Sequence, residues 1–185
     1  MNPQDFFNIA SYLYNLSIPD PQVSSEIIRR TYVNRAYYYL YHLTRNETIA
    51  QLQDTNNFGK LPHWLEDDHI VLEKKFKDHK ILRHFYQGLY EQTGHDNARK
   101  VHHILSRYNT YRILADYYID THNPSIGHYR LNFQNPDLNN PSWKELLPHN
   151  IARRGDEIIQ SVQNLFLNQL RNEDSLLYKI LNTLR

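Results

Sequence analysis

The chain has 185 residues, of which 40% are hydrophobic and 22% are charged, and its formal net charge is +1. This length suits one domain that buries its own core, and this composition is typical of soluble globular proteins rather than disordered or membrane classes. A dedicated nucleic-acid binder usually carries a clear basic excess, which this near-neutral chain lacks, so any RNA contact has to be local. Cysteine is absent, which excludes disulfides, thiol catalysis and cysteine-dependent zinc sites.

The N-terminal sequence MNPQDFFNIASYLYNL has no basic start and no long apolar run. No later stretch approaches the roughly 18 consecutive apolar residues that a membrane-spanning helix needs. We therefore expect a soluble, cytoplasmic protein. The 15 tyrosines and 11 histidines are unusual, and a core built from tyrosines needs partners for its hydroxyl groups.

Helical spacing of apolar residues predicts two helices in the first third of the chain. The first begins at Asn2 or Pro3 and ends at the cluster 17–21, which contains two prolines. The second begins at Glu26, with Ser24 or Ser25 as a candidate cap, and runs to Arg45 or weakly on to Leu52. A loop is predicted over residues 53–62, where turn-forming residues gather. The apolar residues whose spacing predicts the first helix are Phe6, Ile9, Ala10, Leu13 and Leu16.

The rest of the chain also follows helical spacing, apart from one long loop. A third helix is predicted over 65–90, broken near Lys77 and Asp78, and a fourth from Asn97 to Tyr117. The stretch 121–142 contains three prolines, one glycine and five asparagines, which predicts a loop. A last helix from Pro148 or Asn150 to Leu170 and a tail helix to Leu184 follow, and no alternation favours a strand. The predicted fold is an all-α bundle of about five main helices.

The second helix carries the most informative pair of residues, Arg35 and His42. Seven residues place them about 20° apart around the helix axis and two turns apart along it, so they share a face. Tyr38, Tyr39 and Arg45 fall near them. The opposite side carries apolar residues and is expected to pack; its members are Val33, Ala36, Tyr37, Leu40 and Leu43. An arginine and a histidine on a polar helix face are also ordinary surface residues, so the spacing alone assigns no function.

The segment from Asn34 to His42, NRAYYYLYH, resembles the HEPN family, whose helices often contain an arginine, an Ala-Tyr-Tyr segment and a following histidine. A second segment, from Leu105-Ser106-Arg107 to Ala115-Asp116-Tyr117, resembles the late Leu, Arg and Ala-Asp-Tyr pattern of that family. A long final helix around Ala152 to Phe166 agrees as well. The resemblance implies a HEPN-like helical bundle that forms a symmetric homodimer.

HEPN resemblance also implies a function. Active members are metal-independent endoribonucleases, often toxins of toxin–antitoxin pairs or abortive-infection effectors, and others are silent binding modules. By resemblance, Arg35 and His42 are the catalytic residues of this chain, and no cofactor or metal is expected. RNA would be the substrate, and an antitoxin or sensor protein would be a partner. In active members the residue after the arginine is often polar, whereas this chain has Ala36.

The residue types fit metal-free RNA cleavage. One group has to take the proton of the 2′-hydroxyl, another has to protonate the leaving 5′-oxygen, and a cation has to stabilise the phosphorane. Histidine titrates near neutral pH and serves either proton step, while arginine matches phosphate oxygens with a permanent charge. One His42 per chain supplies one proton step, so we expect the site to form across a homodimer. Candidate substrate contacts are Asn34, Tyr38, Tyr39 and Arg45.

Two further residue patterns are interpreted as structural, and two common functional motifs are absent from the sequence. Arg112 and Asp116 have the spacing of a helical ion pair. His102 and His103 point about 100° apart, so at most one can face a cleft shared with Arg107. No HExxH metal motif occurs, and the sequence lacks the glycine-rich loops that bind nucleotide phosphates. The alternative to a ribonuclease is therefore a catalytically inactive HEPN module that dimerises and binds nucleotide, RNA or protein, and a purely structural bundle is a third option.

Overall fold

The computed structural model of the protein describes residues 2–17, 26–54, 71–118, 120–170 and 173–184. Within these ranges the chain is mainly α-helical, with one short β-hairpin. A π-helical segment spans Leu165–Gln169, directly after the helix Pro148–Asn164. The elements in chain order are α1 (Pro3–Ser17), α2 (Glu26–Gln53), α3 (Leu72–Lys75), α4 (His79–Thr93), α5 (Asp96–Tyr117), β1 (Ser125–Ile126), β2 (Tyr129–Arg130), α6 (Pro141–Glu145), α7 (Pro148–Asn164) and α8 (Asp174–Thr183).

The helices predicted from apolar spacing are confirmed where the structure describes them. α2 continues without interruption to Gln53, which agrees with the longer of the two predicted ends, Leu52. The predicted break near Lys77 and Asp78 separates α3 from α4. Residues 65–70 of that predicted helix, the candidate caps Ser24 and Ser25, and most of the loop predicted over 53–62 lie outside the described residues.

Local capping explains where α4 begins and ends. The Asp78 carboxylate accepts a hydrogen bond from the Lys80 amide at 2.7 Å, which satisfies an unpaired N–H of the first turn. At the other end Gly94 adopts the left-handed conformation, with φ of +69°, and its amide donates to the Tyr90 carbonyl at 2.7 Å. Glycine tolerates this conformation because it has no Cβ, so the helix ends at this position.

The stretch 121–142 differs from the predicted loop because it contains a small antiparallel hairpin. Ser125 pairs with Arg130 and Ile126 pairs with Tyr129, and Gly127 in the turn has φ of +59°. Two-residue strands are too short to show a hydrophobic alternation, so the sequence pattern could not reveal them. The sequence-based expectation of no strand was therefore wrong for this segment, although the mainly helical character of the chain is confirmed.

The chain divides into two compact units. The first consists of Met1–His42 with Leu105–Asp156, and the second of Leu43–Ile104 with Glu157–Arg185. α2, α5 and α7 therefore contribute residues to both. Within the described ranges, no helix combines the length and apolarity that crossing a bilayer requires.

Two neighbouring arginines of α2 organise the first unit. Arg29, 2% exposed, donates to the carbonyls of Phe133 and Gln134 at 2.6 and 2.7 Å. Arg30 donates to the carbonyls of Leu114, Ala115, Tyr118 and Thr121, at 2.9 to 3.0 Å, and to the Glu26 carboxylate. Arg30 thereby satisfies carbonyls at and after the end of α5, and Arg29 satisfies two carbonyls that follow the β1–β2 hairpin. This network fixes the end of α5 and residues 121, 133 and 134 against α2, because a buried guanidinium is stable only when its donors are paired.

The second unit has a core of aliphatic and aromatic side chains around α4. α8 packs beside Gly88, where a Cβ would lie at an ordinary van der Waals distance of 3.4 Å from Ile180 Cγ2. The buried Tyr86 hydroxyl forms a 2.6 Å hydrogen bond with Thr48 Oγ1, which provides the hydroxyl partner that a tyrosine-rich core needs. The fully buried residues here include Leu52, Leu72, Phe76, Leu82, Phe85, Leu89, Val101, Ile158, Val162, Phe166 and Leu177.

Candidate functional site

The two faces of α2 in the first unit are arranged largely as the sequence predicts. Val33, Ala36 and Leu40 are fully buried, and Tyr37 and Tyr41 are buried as well. Arg35, Tyr38 and His42 are half-buried on the other side of the helix. The apolar side thus anchors the helix in the core, and the polar side lies at the surface, where it can meet a ligand.

A groove of about 350 Å³ runs between α1 and α2 and brings Arg35 and His42 together. We call it the aromatic groove. Its volume lies within the roughly 300–1,000 Å³ typical of small-molecule sites. The residues that line it are Asp5, Phe6 and Ile9 from α1 and Arg35, Tyr38 and His42 from α2.

Phe6 is the centre of this groove. Its ring stacks on the His42 imidazole, with centroids 4.9 Å apart and planes 11° apart, and on Tyr38 at 5.8 Å. The Arg35 guanidinium carbon lies 5.8 Å from the same Phe6 ring centroid. One buried phenyl ring therefore contacts three of the five side chains that the sequence placed on this face, and it positions both Arg35 and His42.

Arg35 differs from the other arginines of α2 in its hydrogen bonding. Across the described part of the chain, no hydrogen bond or ion pair engages its guanidinium, whereas Arg29 and Arg30 each bind several carbonyls. A guanidinium keeps its full charge at neutral pH and offers five N–H donors. Arg35 is therefore a cation that can accept an anionic ligand without breaking an existing ion pair.

A second groove of about 350 Å³ lies on the other side of Arg35. We call it the polar groove, and Arg30, Thr31, Asn34, Arg35 and Asp116 line it together with Ile27 and Ala115. The Asp116 carboxylate accepts a hydrogen bond from the Asn34 amide at 2.7 Å and one from Arg112 Nε at 2.9 Å. The predicted helical ion pair of Arg112 and Asp116 is thus present.

Electrostatics around Arg112 follow from this pairing. Burial alone would lower the pKa of Arg112, but the nearby Tyr38 hydroxyl and the Asp116 carboxylate outweigh it and raise the pKa. Arg112 therefore neutralises Asp116, and the polar groove does not present an uncompensated negative charge to an anionic ligand.

Tyr39 and Arg45, the two remaining candidate substrate contacts, lie away from both grooves. Tyr39 is buried, its ring is 5.0 Å from that of Phe7, and burial together with the Asp156 charge raises its pKa. Arg45 belongs to the second unit, where it donates to the carbonyls of Phe76 and Glu73 at 3.2 and 3.0 Å. The structure thus brings Asn34, Arg35, Tyr38 and His42 to the two grooves and places Tyr39 and Arg45 elsewhere.

The histidine pair and Arg107 also lie outside the two grooves. His102 and His103 belong to the second unit, and His102 Nδ1 lies 3.2 Å from the Arg83 carbonyl. Arg107 forms an ion pair with Glu145. No cluster of three metal-ligating side chains occurs among the residues that the structure describes.

Phe6 was missed as a site residue because its spacing marks it as a core position of α1, which it also is. Only the apposition of α1 and α2 shows that this core ring contacts His42, and no short-range signal carries that information. Asp116 was identified as one half of an ion pair. Its contact with Asn34 joins residues 82 positions apart and was equally invisible in the sequence.

No family model matches the chain, and no curated protein and no solved structure shows significant similarity to it. The HEPN resemblance therefore stays a prediction from residues 34–42 and 105–117.

Proposed function

We propose that the protein is a metal-independent endoribonuclease of the HEPN type, with Arg35 and His42 as its catalytic residues. The observation that carries this proposal is the aromatic groove, in which an arginine without an ion-pair partner among the described residues lies beside a histidine. In this proposal Arg35 binds a phosphate group of the RNA, and His42 transfers protons, as histidine side chains do near neutral pH.

The reaction proposed for this pair is a transesterification. The ribose 2′-oxygen attacks the adjacent phosphorus while its proton passes to a base. The bond from phosphorus to the 5′-oxygen then breaks, the 5′-oxygen takes a proton, and a 2′,3′-cyclic phosphate remains. Arg35 stabilises the charge on the phosphorane oxygens, because its planar guanidinium matches two of them. Water is not consumed in this step, and no redox partner is needed.

Two proton transfers require two titrating groups, and each chain supplies one histidine, His42, together with the Asp5 carboxyl group in this groove. In a symmetric homodimer, His42 would act as the base and the partner subunit's His42 as the acid. The exposed apolar residues Ile9 and Tyr12, 45% and 64% exposed on α1 beside the groove, suit contact with a second copy. Activity of a protein that stays monomeric at the assay concentration would contradict the dimeric site.

Cleavage of cellular RNA by this site would make the protein toxic to its own cell. An antitoxin or a sensor protein that restrains the activity is therefore part of the proposal. The prediction for expression in a bacterial host is growth arrest with the wild-type chain and normal growth with His42→Ala.

The decisive experiment is incubation of the purified protein with total cellular RNA in excess EDTA. The wild type is compared with Arg35→Ala and His42→Ala, and with the matched controls Arg99→Ala and His103→Ala, which remove the same side chains from exposed positions of α5. The proposal expects fragments with cyclic-phosphate ends from the wild type and both controls only. Equal cleavage by all five proteins would indicate a contaminating nuclease and overturn the assignment of the site.

A second candidate function is a catalytically inactive HEPN module, and the stacking of Phe6 on His42 favours it. A ring that covers one face of the imidazole and also packs against Arg35 can serve to hold α1 on α2. Under this alternative the wild type is as inert as the two groove variants, and binding of RNA, nucleotide or a protein partner replaces cleavage as the function to be measured.

A further inference from the structure

A third cavity of the first unit, about 370 Å³ in volume, lies between α5, the β1–β2 hairpin and α6. We call it the hairpin pocket. It shares no lining residue with the aromatic or polar groove, and the proposed ribonuclease reaction does not use it. Its chemistry is carried by six of its lining residues, Arg107, Tyr111, His128, Tyr129, Arg130 and Glu145.

One wall of the hairpin pocket is fixed by hydrogen bonds around Glu145. Its carboxylate accepts from Arg107 Nη1 at 2.5 Å and from the Tyr111 hydroxyl at 3.2 Å. The Glu145 carbonyl accepts from the buried Tyr108 hydroxyl at 2.6 Å. These bonds hold α6 against α5, so this wall is formed before any ligand arrives.

The charge of Glu145 is compensated by two arginines. Besides Arg107, Arg154 approaches the same carboxylate oxygen at 3.8 Å. Burial alone would lower the pKa of Arg107, but Glu145 and the Tyr129 hydroxyl raise it, so Arg107 stays charged. Its guanidinium has five donors, so it can contact Glu145 and a ligand together.

The opposite rim of the pocket carries one cationic side chain, Arg130, and a pair of stacked aromatic rings, His128 and Tyr129. Arg130 is exposed, and within the described ranges its guanidinium has neither a hydrogen bond nor an ion pair. The His128 ring lies on the Tyr129 ring with centroids 4.0 Å apart and planes 38° apart. The Tyr129 ring is in turn held edge-on by Tyr111, at 5.4 Å. A supported aromatic platform therefore adjoins two cationic side chains.

We propose that the hairpin pocket binds a nucleoside phosphate, with the phosphate between Arg107 and Arg130 and the base on the exposed His128 ring, which Tyr129 supports from behind. Arginine matches phosphate oxygens with paired N–H donors, and nucleobases stack on aromatic side chains. An inorganic anion would leave the aromatic platform unused, and an uncharged aromatic ligand would leave Arg130 unused. The same chemistry is offered by a free nucleotide and by one nucleotide of a single-stranded RNA.

Calorimetric titration of the purified 185-residue chain tests this site with four probes: AMP, adenosine, inorganic phosphate and a hexameric adenylate RNA. The RNA is titrated into His42→Ala, with and without the pocket substitutions, so that the proposed ribonuclease reaction does not consume it. AMP is expected to bind at least tenfold more tightly than adenosine or phosphate. Arg130→Gln and His128→Ala are each expected to weaken that binding about tenfold, since a hydrogen bond to a charged group and a stacking contact each contribute about that much. Lys144→Gln and His149→Ala are the matched controls, because both residues are exposed and lie outside the pocket.

The outcomes separate the two sources of the ligand. Binding of AMP weakened by both pocket variants assigns the site to a free nucleotide. Binding of the RNA alone, weakened by the same variants, assigns it to a nucleotide of a strand. The proposal is overturned if neither probe binds, if the pocket variants bind as the wild type does, or if Arg35→Ala abolishes binding in their place. Far-UV circular dichroism and the unfolding midpoint verify that the exposed positions His128 and Arg130 tolerate replacement.

Discussion

The imidazole of His42 and the phenyl ring of Phe6 are stacked almost in parallel, with centroids 4.9 Å apart and planes 11° apart. Because Phe6 is only 6% exposed, this contact joins the candidate site to the core. The same ring packs on Tyr38 and lies beneath Arg35. Side chains that carry the proposed chemistry therefore depend on α1 for their positions, and the site and its support are one packing unit.

Replacement of Phe6 by alanine is expected to destabilise the protein substantially. The loss of a buried phenyl ring typically costs about 3 kcal/mol or more, because a cavity remains beside the deleted atoms. Ile9→Ala is the matched control in the same helix and groove, and it should cost less than about 1 kcal/mol, since Ile9 is 45% exposed. Urea unfolding followed by circular dichroism measures both values. Equal losses for the two variants would contradict the central role of Phe6.

The sequence revealed the helices and the shared face of Arg35 and His42, because both depend on local periodicity. It did not reveal the partners of that face. The contacts between Phe6 and His42 and between Asn34 and Asp116 join distant parts of the chain, and local periodicity does not encode them. Tyr39 illustrates the same limit, since the helical wheel places it near His42 while packing against Phe7 buries it.

Acidification is expected to destabilise the first unit through Glu26. Burial alone would raise the pKa of this carboxylate, but hydrogen bonds from His122 and Arg30 outweigh it and lower the pKa below its usual value of 4.5. A lowered folded-state pKa means that the stabilisation is complete above pH 4.5 and is lost as the pH falls through the folded-state pKa.

Glu26→Gln tests this coupling. The variant should lose about 2 kcal/mol at pH 7, the typical contribution of hydrogen bonds to a charged group, and its stability should change less than that of the wild type below pH 4.5. The free energy of unfolding in urea is measured from pH 3 to 7, with the exposed Glu73→Gln as the control. If the free energy of unfolding of Glu26→Gln varies with pH as that of the wild type does, the hydrogen bonds of Glu26 do not cause the loss of stability in acid.

Acidification should also destabilise the second unit, through His102, and this loss should begin at a higher pH than the loss caused by Glu26. Burial is the main factor that lowers the pKa of this imidazole below 6.5, and the charges of His103 and Arg83 lower it further. The hydrogen bond to the Arg83 carbonyl and the charge of Glu91 raise the pKa, but they do not outweigh burial. The unfolded chain then binds more protons than the folded one, so the stabilisation present above pH 6.5 is lost as the pH falls through the folded-state pKa. His102→Gln should flatten the unfolding profile just below pH 6.5, and the exposed His84→Gln in α4, whose charge does not act on His102, should leave it unchanged.

Two glycines near α4 are expected to respond oppositely to alanine. Gly94 has φ of +69° and open space around its Cβ position, so Gly94→Ala should cost about 1 kcal/mol through backbone strain alone. Gly88 lies inside the helix, where alanine has the higher helix propensity, and its Cβ would meet Ile180 Cγ2 at an ordinary 3.4 Å. Gly88→Ala should therefore keep or slightly raise the unfolding midpoint. A loss at Gly88 equal to that at Gly94 would indicate that α8 cannot accept the extra methyl group.

Asn34 and Arg35 are adjacent in sequence but should contribute very differently to RNA cleavage. The Asn34 amide donates to Asp116 at 2.7 Å, which commits it to the packing of α2 against α5, whereas the Arg35 guanidinium has no such bond in the described part of the protein. Asn34→Ala should therefore lower stability by about 1 kcal/mol and reduce the cleavage rate less than tenfold. Arg35→Ala should reduce cleavage by at least a hundredfold, since it removes the cation that stabilises the phosphorane. Rates measured in EDTA, at a temperature where both variants are folded, make the comparison. A greater loss with Asn34→Ala than with Arg35→Ala would move the catalytic assignment to the polar groove, where Asn34 and Asp116 would then be the residues to test.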